Sequence, residues 1–209
     1  DEKRQLLHTM VDHYLFKDIL VHENIRKSDK LLQILKLIAF QIGKDVSLAE
    51  IATALGINTR TVERYLDLLE KVFVIKRISG FSRNLRKEVT KSHRYYFIDN
   101  GVRNAVINNF NPLDTRDDVG QLWENYLVTE RLKAQAYRGI YANNYFWRTY
   151  DQKEIDWIEE REGRLFGYEI KWNPKRKMSV PRDFMNAYPD AGYEQIDQSN
   201  YRNFICPEH

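Results

Sequence analysis

Two neighbouring stretches of this sequence carry residues whose types and spacing could perform chemistry. Asp156 lies in one apolar-rich run, and Glu169 and Lys171 stand two residues apart in the next. Because a hard divalent cation prefers oxygen ligands, the two acids could hold Mg²⁺ at about 2.0 to 2.1 Å. Lys171 would point at the same site, where it could orient an attacking water or stabilise charge on a phosphate. These residues predict metal-dependent chemistry on a phosphate.

The runs 154–159 and 166–172 are predicted to be the two strands of a β-hairpin. The charged stretch 160–164 between them contains a glycine, which favours a turn. Side chains alternate across a strand, so Glu169 and Lys171 share one face and the aromatic residues take the other. A Glu-x-Lys pair alone is more typical of a solvated strand. The preceding strand with its own acid is what favours a site.

We expect Asp156 and Glu169 to converge with Glu124, which lies upstream on a predicted helix. Lys171 would lie close to both hairpin acids, and all four side chains would lie on the face opposite Trp157 and Trp172. Clustered carboxylates repel one another, so we expect the pKa of at least one to be raised when no metal is bound.

The arrangement resembles the PD-(D/E)xK nuclease superfamily, whose core is a helix with a glutamate followed by a hairpin with Asp and Glu-x-Lys. Asp156, Glu169 and Lys171 match the motif, and Glu124 matches the helix acid. Ile155 stands where the motif has proline, a position that supplies backbone shape rather than a ligand. The resemblance implies Mg²⁺ held by Glu124, Asp156 and Glu169, with Lys171 as a further catalytic residue. A metal-dependent deoxyribonuclease and an inactive descendant both stay open.

The composition is that of a globular protein. The chain has 209 residues, 43% hydrophobic and 30% charged, with a formal net charge of +3. This length allows one large domain or two small ones, each with a core. Cys206 is the single cysteine and cannot form an internal disulfide. With no long uncharged apolar run, the sequence predicts a cytoplasmic protein without a membrane partner.

Three helices followed by two strands are predicted in the first half of the chain. The helices are expected at residues 29–42, 47–55 and 59–71, and the strands at 72–78 and 94–98. Ser47 and Glu50 form a capping box, and Gly56 ends the second helix. A helix, a short turn with glycine and a second helix are typical of a helix-turn-helix. With the two strands, the pattern resembles a winged helix.

In a winged helix the third helix would enter the major groove of DNA. There Glu63 and Asp67 would oppose the basic residues. The stretch 76–94 holds seven basic residues against one acid and would suit a phosphate backbone. The predicted DNA-binding residues are Arg60, Arg64, Arg83, Arg86 and Lys87. A solubilising loop and a protein-binding scaffold remain alternatives.

The order of short motifs along nearly the whole chain resembles the C-terminal region of a family of bacterial and archaeal AAA-type ATPases. In that family the region after the ATPase is a domain of unknown function. The motifs are Tyr14-Leu-Phe-Lys-Asp18, Leu55-Gly-Ile57, Thr61-Val62, Tyr65-Leu66, Tyr96-Phe-Ile-Asp99, Gly101, Trp147-Arg148, Glu154-Ile-Asp156 and Glu169-Ile-Lys171. The resemblance implies an upstream ATPase domain of the same protein as a partner.

A phosphate-binding loop is not recognisable in the sequence. Gly43-Lys44 is followed by Asp45, and Ile38 stands where such a loop needs glycine. The chain also lacks an initiator methionine and is expected to be a C-terminal piece. ATP is therefore expected as a cofactor of the longer parent protein, and this chain alone is expected neither to bind nor to hydrolyse it.

The predicted fold class is α/β (α+β), with an N-terminal winged helix-turn-helix followed by a PD-(D/E)xK nuclease-like α/β domain. The predicted divisions are a linker helix at 1–28, the winged helix-turn-helix at 29–110 and the nuclease-like domain at 111–209. After the hairpin we expect a helix at 181–188 and a closing strand at 201–206. The predicted function is DNA binding with a Mg²⁺-dependent phosphodiesterase. The alternative is a regulatory or protein-interaction module, and the oligomeric state is left open.

Overall fold

The computed structural model divides this chain into two compact units, each with its own elements and core. The described residues are 2–11, 28–83, 92–176 and 178–207. The first unit is formed by Asp1–Arg77 with Arg94–Asp117, and the second by Ile78–His93 with Asp118–His209.

Helices dominate the first unit. Its elements in chain order are α1 (Glu2–Thr9), α2 (Ser28–Phe40), β1 (Asp45–Val46), α3 (Leu48–Leu55), α4 (Thr59–Lys71), the first part of β2 (Ile75–Gly80), β3 (His93–Phe97) and α5 (Asn100–Val106). Among the strands, β3 lies between β1 and β2. The fully buried face of α2 packs with α4 in one core, which includes Leu31, Ile34, Ile38, Val62 and Leu66.

The turn between α3 and α4 is set by local signals that were visible in the sequence. The Ser47 side chain accepts the N–H of Glu50 and begins α3, and Gly56 ends it with a left-handed φ of 62°. Asn58 then caps α4 by accepting the N–H of Thr61. The predicted limits of this helix, 59 and 71, are confirmed.

The strand predicted at 72–78 begins later, at Ile75, and runs to Gly80. The reason is Phe73, whose φ of 58° ends α4 in a left-handed turn that a strand cannot contain. The N–H of Val74 reaches back to the carbonyl of Leu69 across this turn. Residues 84–91 of the basic stretch, between the two strands, lie outside the described residues.

The second unit is a mixed sheet with helices. Its elements are the end of β2, α6 (Val119–Arg138), β4 (Asn143–Arg148), β5 (Glu154–Arg161), β6 (Arg164–Ile170), α7 (Arg182–Ala187), β7 (Gly192–Ile196) and α8 (Tyr201–Ile205). The strand order is β2-β4-β5-β6-β7. The β4, β5 and β6 strands are antiparallel, and β7 lies parallel to β6. The predicted α+β class is confirmed.

The β5–β6 hairpin is longer than predicted and its turn is shorter. Only Glu162 and Gly163 connect the strands, and both have positive φ, 52° and 73°. Two such residues make the turn whose twist suits a hairpin. The pairs Arg161–Arg164 and Trp157–Tyr168 set the register.

The closing strand predicted at 201–206 is wrong, because these residues form α8. A helix turns Phe204 toward the sheet, where its ring lies 4.8 Å from that of Tyr168. The carbonyl of Phe204 also accepts a hydrogen bond from Arg131 Nη1 at 2.7 Å. The strand that extends the sheet is β7, which the sequence analysis did not predict.

Candidate functional site

Two neighbouring strands place the acids of the candidate site opposite each other. Continuing the β5–β6 register by one residue beyond Trp157–Tyr168 puts Asp156 across from Glu169. The turn at Glu162 and Gly163 fixes that pairing. Because directly opposed side chains lie on one face of a sheet, the two carboxylates share a site.

Lys171 follows β6 directly and links the two acids. Its Nζ lies 2.6 Å from Glu169 Oε1 and 3.4 Å from Asp156 Oδ2. The backbone N–H of Lys171 donates to the carbonyl of Ile196 on β7 at 2.9 Å. Asp156 Oδ2 also accepts the N–H of Ile170 at 2.9 Å. The lysine and the aspartate are therefore both held by the backbone of the sheet.

Both carboxylates are buried. Glu169 is 3% exposed and Asp156 is 5% exposed. Burial, followed by the charge of Asp156, raises the pKa of Glu169 to about 7, although Lys171 acts in the opposite direction. Burial acts to lower the pKa of Lys171, but the nearby acids outweigh it and raise that pKa. The expected raised carboxylate pKa is thus found at Glu169.

Glu124, the predicted helix acid, lies half-buried near the start of α6. Its charge is among those that raise the pKa of Lys171, after Asp156 and Glu169, so it acts on the same ammonium group. Within the described ranges, no three His, Cys, Asp or Glu side chains form a complete metal-binding group. The structure brings Asp156, Glu169 and Lys171 into contact, with Glu124 within electrostatic reach.

The oxygens of Asp156 and Glu169 are donors of the kind that a hard divalent cation prefers. Glu169 Oε2 is buried and has no hydrogen-bond partner among the described residues. Leaving such an acceptor unsatisfied is costly, and a cation would satisfy it. Lys171 supplies one positive charge against the two carboxylates of Asp156 and Glu169. Oxygen ligands with a charge deficit are what Mg²⁺ requires.

One further residue of the site, Tyr193, was not predicted from the sequence. The hydroxyl of Tyr193 is buried and has no hydrogen-bond partner in the described part of the chain. Burial raises the pKa of Tyr193, and the charges of Glu169 and Asp156 raise it further. Glu154 adds negative charge that raises the pKa of Glu169. Tyr193 lies on β7, where it pairs in parallel with Gly167 of β6. No local sequence pattern predicts that pairing.

An open cavity of about 550 Å³ adjoins these acids. Glu169, Lys171 and Tyr193 form part of its wall, together with residues of the segment that precedes α7. The candidate site can therefore be reached from outside through a space large enough for a small molecule.

The opposite face of the hairpin carries a different charged group. Glu159 is 0% exposed and receives both Nε and Nη2 of Arg131, at 2.6 and 2.8 Å. Trp157 Nε1 donates to the same carboxylate at 3.1 Å. Burial acts to raise the pKa of Glu159, but Arg131 outweighs it and lowers that pKa. This group is fully paired and holds α6 against the sheet.

The aromatic residues near the motifs divide between core and surface. Trp147 and Trp157 are fully buried, as core residues would be. Trp172 is 38% exposed, and its ring packs edge-on against Trp123.

The predicted DNA-binding residues are only partly described. Arg60 and Arg64 are exposed on α4, and so is Glu63. Arg83, in the second unit, forms a salt bridge with Glu160. Asp67 is paired with Arg77 at 3.1 Å, so its charge is partly compensated. Arg86 and Lys87 lie outside the described residues.

The raised pKa of Glu169 predicts how stability changes with pH when no divalent cation is present. The folded chain holds this proton more tightly than the unfolded chain, so the stabilisation is complete below about pH 4.5 and is lost as pH rises through about 7. At 1.36 kcal/mol per pKa unit, the loss amounts to roughly 3 kcal/mol at most. Urea unfolding in EDTA between pH 5 and pH 8 measures it.

The control for this pH dependence is Glu169→Gln, which keeps the shape but cannot ionise. The difference in unfolding free energy between this variant and the wild type should change across the same pH range. Saturating Mg²⁺ should remove most of that change, since the cation favours the ionised carboxylate. Parallel curves for the two proteins in EDTA would contradict the assigned pKa.

None of the helices in the described ranges combines the length and apolar character needed to cross a bilayer.

Two family models match the chain. Residues 1–113 match the domain of unknown function DUF8612, and residues 119–203 match the domain of unknown function DUF4143. The two matched segments correspond broadly to the two compact units.

The chain is also similar to curated proteins that carry the name uncharacterized protein. Relatives in Mycobacterium bovis and Mycobacterium tuberculosis are each 32% identical over 139 residues, which is 65% of this chain and 30% of theirs. An uncharacterized protein of Haemophilus influenzae is 21% identical over 175 residues, 80% of this chain and 40% of that protein. The chain thus spans less than half the length of these relatives. No solved structure gives a significant match.

Proposed function

The chain belongs to the family of the domain of unknown function DUF8612, and from that premise we propose that it is the C-terminal part of an AAA-type ATPase that acts on DNA. In this proposal the second unit is a Mg²⁺-dependent phosphodiesterase of the nuclease-like type. Helix α4 and the basic residues that follow it supply affinity for the phosphate backbone.

One observation carries the phosphodiesterase proposal. Lys171 bridges the buried carboxylates of Asp156 and Glu169, and Glu169 Oε2 has no partner among the described residues. A purely structural ion pair would satisfy its oxygens, as Glu159 does with Arg131 on the opposite face. The acid site instead keeps an unsatisfied oxygen and a carboxylate of raised pKa. Such perturbed groups in a cleft are typical of functional sites.

The chemistry follows from the charges of these groups. A bound Mg²⁺ supplies Lewis acidity toward a phosphodiester and lowers the pKa of water. Asp156 and Glu169 are the residues that would hold it, and Glu124 would complete the set. Lys171, positively charged at neutral pH, stabilises the charge that builds up on the phosphate in the transition state. Burial of the acids strengthens these interactions because the local dielectric constant is low.

The proposal is tested by incubating the chain with linear duplex, single-stranded and branched DNA in Mg²⁺, Mn²⁺ or EDTA. Cleavage that requires the metal and is lost in Lys171→Ala supports the phosphodiesterase. Cleavage in EDTA, or equal cleavage by Lys171→Ala, would identify a contaminant or another site.

DNA binding by α4 is expected to be weak and to fall steeply with salt. Replacing Arg60 and Arg64 by alanine should lower the slope of log affinity against log salt by about one unit for each lost phosphate contact. Glu63→Gln, on the same exposed face, should strengthen binding. Fluorescence anisotropy with a labelled duplex at several salt concentrations measures the DNA affinity of the variants at Arg60, Arg64 and Glu63.

The basic stretch gives a second set of variants for the same measurement. Arg83→Ala, Arg86→Ala and Lys87→Ala should each weaken binding to unrelated duplex sequences about equally, because phosphate contacts carry no sequence information. The alternative function would be favoured if the affinity for DNA changed neither with salt nor in any of the five alanine variants.

That alternative is a module that binds protein, and the observation that favours it is Phe73. This residue is 79% exposed and holds a left-handed backbone conformation that costs a non-glycine residue about 1 to 2 kcal/mol. It borders an apolar cavity of about 190 Å³ lined by Met10, Val74 and Val102. The proposed occupant is an apolar segment of the upstream ATPase part of the longer protein.

The substitution Phe73→Gly tests the alternative. Glycine adopts this conformation without strain, so the free energy of unfolding should not fall. If Phe73 binds the ATPase part, the full-length protein should show reduced protection of Val74 and Ile98 from hydrogen exchange in this variant. Unchanged protection would leave Phe73 without that role.

A further inference from the structure

The cavity beside the acid site has walls of two chemical kinds. Lys153, Arg176 and Arg182 are cationic, and Met178, Val180 and Pro181 are mainly apolar. Glu169 and Lys171 of the candidate site also line the cavity. A ligand that suits these walls carries an anionic group and a flat or apolar part.

Two of the cations are available to a ligand. Lys153 is paired with Asp183 at 2.7 Å. Among the described residues, by contrast, no side chain pairs with the guanidinium of Arg176 or of Arg182, and both arginines are exposed. Guanidinium groups bind phosphate through two parallel hydrogen bonds, which makes arginine suited to a phosphate next to the site.

The size of the cavity limits what it can enclose. Its volume of about 550 Å³ falls in the range of pockets that enclose one small molecule, roughly 300 to 1,000 Å³. A duplex, which is a continuous rod of stacked base pairs, cannot place a base and its phosphate inside such a pocket without unstacking. A single-stranded end can place one base and its phosphate there without that cost.

We infer that the cavity holds one nucleotide of a single-stranded DNA end, with its phosphate against Arg176 and Arg182 and its base along Met178 and Pro181. This inference rests on the proposed phosphodiesterase function and specifies its substrate. The enzyme then acts at ends or single-stranded segments, and the interior of an intact duplex is excluded.

The acids of the candidate site, beside the cavity, couple nucleotide binding to the metal. A phosphate placed near the ionised carboxylates of Asp156 and Glu169 is repelled by them unless a cation compensates. Metal and nucleotide should therefore strengthen each other's binding by the same factor.

Calorimetry with thymidine monophosphate tests the inference without any cleavage. The probe is titrated into the chain in Ca²⁺ and in EDTA, with thymidine and inorganic phosphate as partial ligands. We expect the monophosphate to bind in Ca²⁺ more tightly than either fragment, and to bind at least tenfold more weakly in EDTA. Arg176→Gln and Arg182→Gln should each weaken binding by roughly 10- to 100-fold.

The matched control is Arg202→Gln, an exposed arginine on α8 outside the cavity. It should bind the monophosphate as the wild type does. Equal losses in Arg202→Gln and Arg182→Gln would overturn the inference, because general charge would then explain the binding.

Two further measurements distinguish a DNA end from a free nucleotide as the ligand, and failure of the inference from failure of the proposed function. A 5′-phosphorylated oligonucleotide must displace the monophosphate, and a failure to do so would assign the cavity to free nucleotides and overturn the inference. A covalently closed duplex circle should resist cleavage, and cutting it as fast as a single strand would also overturn it. If Ca²⁺ itself does not bind, the proposed function fails as well. If Ca²⁺ binds but the monophosphate does not, the inference is overturned and the proposed function is not.

Discussion

Asp156→Asn is expected to lower Mg²⁺-dependent DNA cleavage by at least about 100-fold, the effect of removing one preorganised charged group from a transition state. Asparagine keeps the size of the side chain and an oxygen for the Ile170 N–H, which lies 2.9 Å from Oδ2. What is lost is the negative charge opposite Glu169. Single-turnover cleavage of an end-labelled single strand at saturating Mg²⁺ measures the effect.

The control is Glu162→Gln, which removes an acid from the exposed turn of the same hairpin. This variant should cleave at the wild-type rate. Calorimetric Ca²⁺ binding gives a second readout, and Asp156→Asn should weaken it. A thermal melt shows that each variant is folded. Wild-type cleavage and wild-type Ca²⁺ affinity in Asp156→Asn would refute the role of this residue.

Arg131→Ala is expected to destabilise the chain by about 3 to 5 kcal/mol, the usual cost of removing one partner from a buried ion pair. Glu159 has no exposure, and Arg131 donates to both of its oxygens and to the carbonyl of Phe204. The substitution leaves a buried carboxylate partly uncompensated and removes one hydrogen bond between α6 and α8. Urea unfolding of the whole chain measures the loss.

Helix α6 offers a matched control for this variant. Lys133 forms an ion pair with Glu130 at 2.6 Å, but both side chains are partly exposed to water. Lys133→Ala should cost less than about 1 kcal/mol. The loss of unfolding free energy in Arg131→Lys should fall between those in Arg131→Ala and Lys133→Ala, because lysine keeps the charge but not the two parallel hydrogen bonds. Equal costs for Arg131→Ala and Lys133→Ala would contradict the importance of the buried pair.

The helices of the first unit were predictable where a local signal marks a boundary. Asn58 and Gly56 fix the ends of α4 and α3 through their own side chain and backbone, and no distant residue is needed. The start of β2 was not predictable, because Phe73 adopts a conformation that the sequence would assign to glycine. The error at 201–206 has a different cause. Phe204 and Arg131 are far apart in the chain, and no local pattern indicates their contact.

The candidate site shows the same division. The contact of Asp156, Glu169 and Lys171 follows from strand alternation and one tight turn, which are both local. Tyr193 joins the site through the parallel pairing of β6 with β7, a connection across many residues that carries no sequence signature. The pairing of Arg131 with Glu159 was missed for the same reason.

The turn at Glu162 and Gly163 has an evolutionary consequence. It lies at the far end of the hairpin, yet it decides which side chains of β6 face Asp156. One inserted residue would exchange the two faces of the strand, so that Tyr168 or Ile170 would take the place of Glu169. A related protein with such an insertion could keep every residue of the site, but their side chains would no longer lie on one face of the sheet. The separation of thirteen positions from Asp156 to Glu169 is therefore as necessary for the site as the acids themselves.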